Sequence, residues 1–184
     1  MKAKSVPKVM LEVVKPEAED QPAGRNDPRG ALAPAPLQIR RILVPVDFSA
    51  CAINALHYAA GFAEALGGSL ILLHVVEPVA GGEHYAVAPP TVDQTSEHLL
   101  ESGRDRLAAV CQKLIGTRVP TETLARIGHA PSEIADTAKA LGADLIVMGT
   151  HGHSGAAQVS LGGTAERVVH HAPCPVLTVR HSEE

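Results

Sequence analysis

The chain has 184 residues, of which 45% are apolar, so it can bury one full core with residues to spare. Aromatic residues make up only 2% and the formal net charge is -4. These values exclude the stacking platforms of single-stranded nucleic-acid binding and a global basic surface for DNA or RNA. No apolar run approaches the ~20 residues of a membrane span, and three cysteines without a CxxC pair suit a reducing compartment. We therefore expect a cytoplasmic protein with no nucleic-acid or membrane partner.

Residues 1–39 differ in composition from the rest of the chain. Residues 21–30 and 33–36 are rich in proline, glycine and charge, which is typical of a linker. One short apolar patch, Met10–Val14, interrupts them, and it fits either full disorder or a strand-like segment docked on a neighbour. We predict a disordered or loosely docked N-terminal extension over 1–39 and a single domain over 40–184.

The first half of the domain alternates strand and helix. Ile42–Val46 predicts a strand, and Ser49 is placed to cap the helix that follows it. Leu70–Val76 predicts the second strand. The apolar face of the first helix is Ala52, Ala55, Leu56, Ala59, Ala63 and Leu66, and that of the second is Leu99, Leu100, Leu107, Val110, Cys111 and Leu114.

The second half continues the same alternation. Pro120–Ile127, Asp144–Met148 and Pro175–Val179 predict three more strands. Pro131–Leu141 predicts a helix between the first two of them, and another helix opens near Thr164. Strands separated by helices require right-handed crossovers, so the pattern predicts a parallel, doubly wound α/β sheet.

Glycines mark the candidate site. Gly149 and Gly152 leave the fourth strand, and after nine residues Gly162 and Gly163 open a helix with Thr164. Backbone N–H groups and the positive end of the helix dipole favour phosphate in such a turn. The competing interpretation is ordinary turn and helix-start chemistry, with Thr164 as an N-cap.

Acidic residues follow two of the predicted strands, Asp47 after the first and Glu77 after the second. If the first and fourth strands are neighbours, Asp47 faces the glycine turn at the crevice where ligands bind in such sheets. Asp47 also fits the role of a plain turn residue, and the two interpretations stay open.

Histidines lie close to the glycine turn. His151 and His153 are two residues apart, and His170 and His171 sit on the next helix, but no carboxylate or cysteine at a telling spacing completes a zinc site. We interpret His153 as a neighbour of the phosphates. Cys174, between two prolines, is interpreted as a buried or half-buried structural thiol.

Four ordered segments resemble the universal stress protein family over roughly residues 40–181. They are Ile42–Ser49, His74–Pro78, the Gly149–Gly162 motif and His171–Leu177. The resemblance implies an open five-stranded parallel sheet of order 3-2-1-4-5 with helices on both faces, an adenine nucleotide alpha hydrolase-like fold. It also implies a homodimer through the last strand, and the apolar edge Val176–Val179 agrees with that.

One branch of that family binds ATP, and the resemblance carries its site onto this chain. Asp47 then lies near the ribose or the phosphate-bound Mg²⁺ or Mn²⁺, Pro45 and Val46 line the adenine side, and Val75 or Val76 meets the base edge through its backbone. The phosphate is cradled by Gly149, Gly152, Gly162, Gly163 and Thr164, and the further candidate nucleotide-binding residues are Met148, His151 and His153. ATP is the expected ligand, with ADP and AMP as alternatives.

The chain departs from the family at Gly163, where the family carries Ser, Thr or Asn. The missing side chain would donate a hydrogen bond to a phosphate oxygen, which Thr164 is placed to replace. There is no P-loop lysine and no identifiable general base, so we expect at most slow ATP hydrolysis. The sequence predicts a cytoplasmic stress-response protein that binds ATP and acts as a nucleotide-dependent regulator or sensor. The alternative is a dimeric interaction module without nucleotide.

Overall fold

The computed structural model describes residues 38–77, 92–152 and 161–180, with the side chains of 92–96 left aside. The N-terminal extension predicted over 1–39 lies almost wholly outside these ranges, and so does His153. The elements in chain order are β1 (Arg41–Pro45), α1 (Ala50–Leu66), β2 (Ser69–Val76), α2 (Val92–Leu114), β3 (Thr121–Ile127), α3 (Ala130–Leu141), β4 (Leu145–Gly149), α4 (Gly163–His171) and β5 (Val176–Val179). Each predicted strand is present, with its ends shifted by one residue at most.

The five strands form one parallel sheet of order β3-β2-β1-β4-β5, as predicted. β1 lies in the middle, where Leu43 pairs with Ile71 of β2 on one side and with Ile146 of β4 on the other. The chain moves outward from β1 to β2 and β3, then returns to β4 on the opposite side. The order therefore reverses between β1 and β4, which is where doubly wound sheets open a ligand crevice.

Helices cover both faces of the sheet. Residues such as Ile42 and Leu72 pack with α1 and α2, whereas residues such as Leu43 and Ile71 pack with α3 and α4. The strands are buried on both faces, so their sequences are nearly continuous apolar runs. None of the helices in the described ranges is long and apolar enough to cross a membrane.

Local chemistry fixes the helix ends. The Ser49 side chain accepts a hydrogen bond from the Ala52 N–H and begins α1, as its position predicts. Gly67 and Gly142 end α1 and α3 in the left-handed conformation, with φ of 65° and 60°. A side chain is strained at these φ values, so glycine is the residue that ends both helices cleanly.

Two apolar predictions were wrong. Leu66 is 49% exposed and Leu99 is 41% exposed, although both continue the apolar faces of their helices. Leu66 is the last residue of α1, beside the start of β1, where the sheet no longer covers the helix. Leu99 lies four residues before Gly103, which touches the end of β2. Four helical residues rise about 6 Å, so Leu99 lies level with Val76, the last residue of β2, at the carboxyl rim of the sheet.

Candidate functional site

A cleft of about 540 Å³ opens at the carboxyl ends of the strands, over the point where the strand order reverses. Its walls come from the ends of β1, β2 and β4 and from the first turns of α3 and α4. The predicted site residues that line it are Pro45, Val46, Asp47, Val75, Met148, Gly149, His151, Gly152, Gly162, Gly163 and Thr164. The fold therefore brings eleven of the thirteen together from four separate parts of the chain.

The turn after β1 holds Asp47 in a fixed pose. Its Oδ1 accepts hydrogen bonds from the Ser49 backbone N–H at 2.9 Å and from the Ser49 hydroxyl at 2.6 Å. Between them Phe48 has a φ of 66°, which is uncommon for a residue other than glycine. The other carboxylate oxygen, Oδ2, faces Gly152 so closely that a Cβ at Gly152 would collide with it.

The turn after β4 approaches its neighbours too closely for side chains. A Cβ on Gly149 would lie 2.8 Å from the Cβ of Cys51, at the start of α1. Between these glycines Thr150 is buried, and its N–H donates to the carbonyl of Val179 on β5. The Cβ of Cys51 and the backbone of α1 leave no room for a side chain at Gly149, and the Asp47 carboxylate occupies the corresponding space at Gly152.

The start of α4 presents free backbone donors to the cleft. The Gly162 N–H donates to the Thr150 carbonyl at 2.9 Å, and the first helical bond runs from the Glu166 N–H to the Gly162 carbonyl. The N–H groups of Gly163, Thr164 and Ala165 therefore precede the helical ladder, and none of them donates to another residue that the structure describes. Together with the helix dipole they form an anion-binding end at the edge of the cleft.

The opposite wall of the cleft is apolar. It consists of Pro45, Leu73, Val75, Ala130, Ile134 and Met148. Val76, the alternative to Val75, is outside the lining, and its carbonyl accepts a hydrogen bond from the Gly128 N–H. An apolar slot beside an anion-binding end matches a ligand with a flat base at one end and phosphate at the other.

Two of the histidines lie away from the cleft. His170 and His171 are exposed on α4, where the His171 Nδ1–H donates to the Arg167 carbonyl. His151 lines the cleft, with Nδ1 3.0 Å from the Thr150 Oγ1. Within the part of the chain that the structure describes, no three His, Cys, Asp or Glu side chains converge on one point. A metal held at Asp47 would thus take its remaining ligands from phosphate oxygens and water.

Three charged or histidine side chains that line the cleft were missed by sequence reasoning as site residues: His74, Glu77 and Arg106. Glu77 Oε1 accepts a hydrogen bond from the Ala130 N–H at 3.1 Å and so caps α3. Arg106 comes from α2, 59 positions after Asp47, and no local pattern pointed it toward the cleft. Only the Val76-Glu77 strand end carried a usable signal.

Cys174 is half-buried at the entrance to β5, as interpreted from its position. Burial, and then the nearby Asp144 carboxylate, raise the pKa of its thiol above the usual value. Asp144 itself is fixed by the backbone N–H groups of Arg40 and Arg41, both at 2.9 Å from its Oδ2. The thiol is therefore held in its neutral form, which suits a structural role.

Comparison with known proteins gives a consistent result. The sequence model of the Universal stress protein family matches residues 38–180. A universal stress protein of Methanocaldococcus jannaschii is 34% identical over 146 residues, covering 77% of this chain and 82% of that protein. The chain thus matches this family over its whole α/β domain.

Solved structures agree with that match. The universal stress protein UspA of Lactobacillus plantarum superposes with a TM-score of 0.65 and 31% identity, covering 78% of this chain and 99% of that one. The protein MJ0577 of Methanocaldococcus jannaschii gives a TM-score of 0.68 at 25% identity, covering 80% and 99%. Two universal stress proteins in complex with cAMP and with dAMP share the fold at 22% and 21% identity.

Proposed function

This chain belongs to the universal stress protein family, and we propose that it binds ATP in the cleft between β1 and β4 and acts as a nucleotide-dependent regulator. The observation that carries the proposal is the contact between Asp47 and Gly152 beside the open N–H groups of α4. A carboxylate and an anion-binding helix end in the same cleft suit a metal-bound polyphosphate.

The phosphates lie against the backbone N–H groups of Gly163, Thr164 and Ala165 in this proposal. The dipole of α4 contributes typically 0.3–1 kcal/mol to such binding at low ionic strength. The Asp47 Oδ2 would supply one hard oxygen ligand to the Mg²⁺ or Mn²⁺ that accompanies the nucleotide. Adenine then enters the apolar slot beside Pro45 and Val75.

The role we propose is binding and not rapid turnover. Asp47 has one oxygen held by Ser49 and the other at the metal position, so it is not placed as a base for an attacking water. No lysine is among the described residues that line the cleft, so none of them neutralises the β- and γ-phosphates. Slow hydrolysis is the upper limit that this arrangement supports.

A matched pair of glycine variants tests the proposal. Gly152→Ala places a Cβ against Asp47 Oδ2, whereas Gly163→Ala places one in open space, with nothing within 4 Å. Titration with ATP and Mg²⁺, followed by calorimetry, is the measurement. We expect Gly152→Ala to lose binding by at least tenfold and Gly163→Ala to keep it. If the wild-type protein binds no nucleotide at millimolar ATP, the proposal fails.

ADP, AMP, cAMP and dAMP belong in the same titration. The last two were present in structures of proteins that share this fold. A cyclic or monophosphate ligand cannot bridge Asp47 to α4 through a β,γ-phosphate chain, so we expect ATP to bind most tightly and Mg²⁺ to strengthen it most. Equal affinity for AMP and ATP would remove the polyphosphate part of the proposal.

We also propose that the protein forms a homodimer through β5. This strand is at the sheet edge, and the carbonyls of Pro175 and Val179 accept hydrogen bonds from the N–H groups of Ile146 in β4 and of Thr150 just after it. Because strand backbone groups alternate in direction, those of Val176 and Thr178 point outward, away from β4. An apolar edge with open backbone groups favours pairing with a second copy.

A second function, a partner-binding dimer with an empty cleft, is favoured by one observation only. Position 163 has space for a side chain and carries none. The start of α4, residues 163–165, which we call the phosphate wall, therefore lacks a hydroxyl that the family pattern supplies. The titration described above distinguishes the two functions, because an empty cleft predicts no binding by the wild-type protein.

A further inference from the structure

An aromatic stack lies beneath the turn that carries Asp47. The guanidinium carbon of Arg106 is 3.8 Å from the centroid of the Phe48 ring. The His74 ring packs against Phe48 as well, with centroids 4.7 Å apart and planes tilted by 51°. Phe48 is one of only two phenylalanines in the chain, and it also packs against the apolar cluster beneath α1 and α2.

The stack is tied to the sheet and to α2. The His74 Nδ1–H donates to the Val46 carbonyl at 2.8 Å, which anchors the ring on β2 next to the end of β1. Gly103 on α2 makes room for that ring, since a Cβ at 103 would lie 2.8 Å from the His74 Cδ2. One turn of α2 thus contacts the stack twice, through Gly103 and through Arg106.

Phe48 is also the backbone pivot of the Asp47 turn. Its φ of 66° is disfavoured for a residue with a side chain, so the turn persists only if other contacts hold it. On one side the Ser49 N–H and hydroxyl fix Asp47 Oδ1. On the other side the Phe48 ring is held by Arg106 and His74.

We propose that Arg106 is a positioning residue, which acts through Phe48 to hold Asp47 Oδ2 at the metal position of the cleft. This inference rests on the proposed function and assigns a role to a side chain that the glycine motif does not include. If Arg106 holds Asp47 in this way, the position of α2 contributes to the affinity for metal-bound nucleotide. Any change that moves α2 or withdraws the guanidinium weakens the Mg²⁺ contribution and spares the phosphate wall.

Arg106 also lines the cleft, so direct contact with phosphate is the competing arrangement. The two arrangements differ in their dependence on Asp47. A positioning residue loses its effect once Asp47 is replaced, whereas a direct phosphate contact keeps it. A double-mutant cycle therefore separates them.

The experiment compares Arg106→Gln, Arg106→Lys and Asp47→Asn, singly and in combination, with Arg104→Gln as control. Arg104 is an exposed arginine of the same helix and outside the cleft lining. ATP affinity is measured with Mg²⁺ and with EDTA. The increase in ATP affinity on adding Mg²⁺ is the quantity compared, and we call it the Mg²⁺-dependent gain. From the strength of a cation–aromatic contact at an exposed site, we expect Arg106→Gln to lower this gain by about 2- to 5-fold. Arg106→Lys restores part of that gain, and Arg104→Gln leaves it unchanged.

Two results would overturn the inference. In the first, Arg106→Gln lowers ATP affinity as much in EDTA as in Mg²⁺. In the second, Arg106→Gln lowers ATP affinity by the same factor whether residue 47 is Asp or Asn. Either result makes Arg106 a direct phosphate contact.

A second readout needs no nucleotide. The Ser49 N–H donates to Asp47 Oδ1, so its hydrogen exchange reports the turn directly. We expect faster Ser49 exchange in Arg106→Gln but not in Arg104→Gln. Unchanged exchange would refute the role of Arg106. If the wild-type protein binds no ATP, the proposed function fails, while this exchange result still decides whether Arg106 holds the turn.

Discussion

Gly163→Ser should add a hydroxyl that donates a hydrogen bond to a phosphate oxygen at the start of α4. Gly163 is the first residue of α4, and a Cβ there meets nothing within 4 Å. The new hydroxyl therefore costs no rearrangement of neighbours. A hydrogen bond to a charged phosphate oxygen contributes about 1.5–3 kcal/mol. Each 1.4 kcal/mol is tenfold, so we expect ATP to bind roughly 10- to 100-fold more tightly.

Gly163→Ala is the matched control for that prediction. Both substitutions remove the flexibility of glycine from the first turn of α4, which stabilises the helix by up to about 1 kcal/mol whatever the ligand. Only serine adds a donor. The assay is calorimetric titration of wild type and both variants with ATP and Mg²⁺, beside thermal melts without ligand. If serine and alanine give the same affinity within about twofold, the phosphates do not lie at position 163, and the reasoning is refuted.

Three further predictions follow from single contacts. Glu77→Ala removes the carboxylate that caps α3 at Ala130, so the free energy of unfolding should fall by about 0.5–1 kcal/mol and Tm by roughly 1–4 °C. Glu77→Gln keeps an acceptor and most of the stability. If both variants have the same Tm, Glu77 does not cap α3. The raised pKa of Cys174 stabilises the fold below the ordinary thiol pKa, and this contribution is lost as pH rises through the raised value. The alkylation rate of Cys174 should therefore begin to rise at a higher pH in the folded protein than in the urea-unfolded protein. If the rate has the same pH dependence in both states, the pKa of the thiol is not raised by folding. Thr178→Pro removes an outward N–H of β5 and keeps the hydrogen bonds between β5 and β4. Light scattering should therefore show the mass of a monomer for this variant. A variant that remains dimeric would rule out pairing through β5.

The sequence was sufficient wherever one segment determines its own geometry. Ser49 before an apolar helix and Gly142 after one fix their caps through bonds within four residues. The strands could be predicted because burial on both faces makes them continuously apolar. The prediction that Leu66 is buried was wrong, because helical spacing identifies the apolar face of a helix but not the point where the sheet beneath that face ends.

The cleft was predictable only in part, for a related reason. Strand ends such as Asp47 and Gly152 meet because parallel strands share one carboxyl edge, so topology alone brings them together. Arg106 reaches that edge from the middle of α2, and its direction depends on how α2 lies across β2 and β3. A long exposed side chain on a helix carries no periodic signal, so only the folded arrangement reveals it.

The contact between Asp47 and Gly152 joins two halves of the cleft that are held independently. The Asp47 half is fixed from outside by Ser49 and by the stack of Phe48, His74 and Arg106. The glycine half is fixed by bonds from Thr150 to β5 and from Gly162 to Thr150. Among the described residues no hydrogen bond joins the two halves across the cleft, so a polyphosphate with its metal ion is the ligand that would link them. Such a ligand would couple α2 on one face of the sheet to α4 on the other, which is how a binding protein without rapid chemistry can report its nucleotide state to a partner.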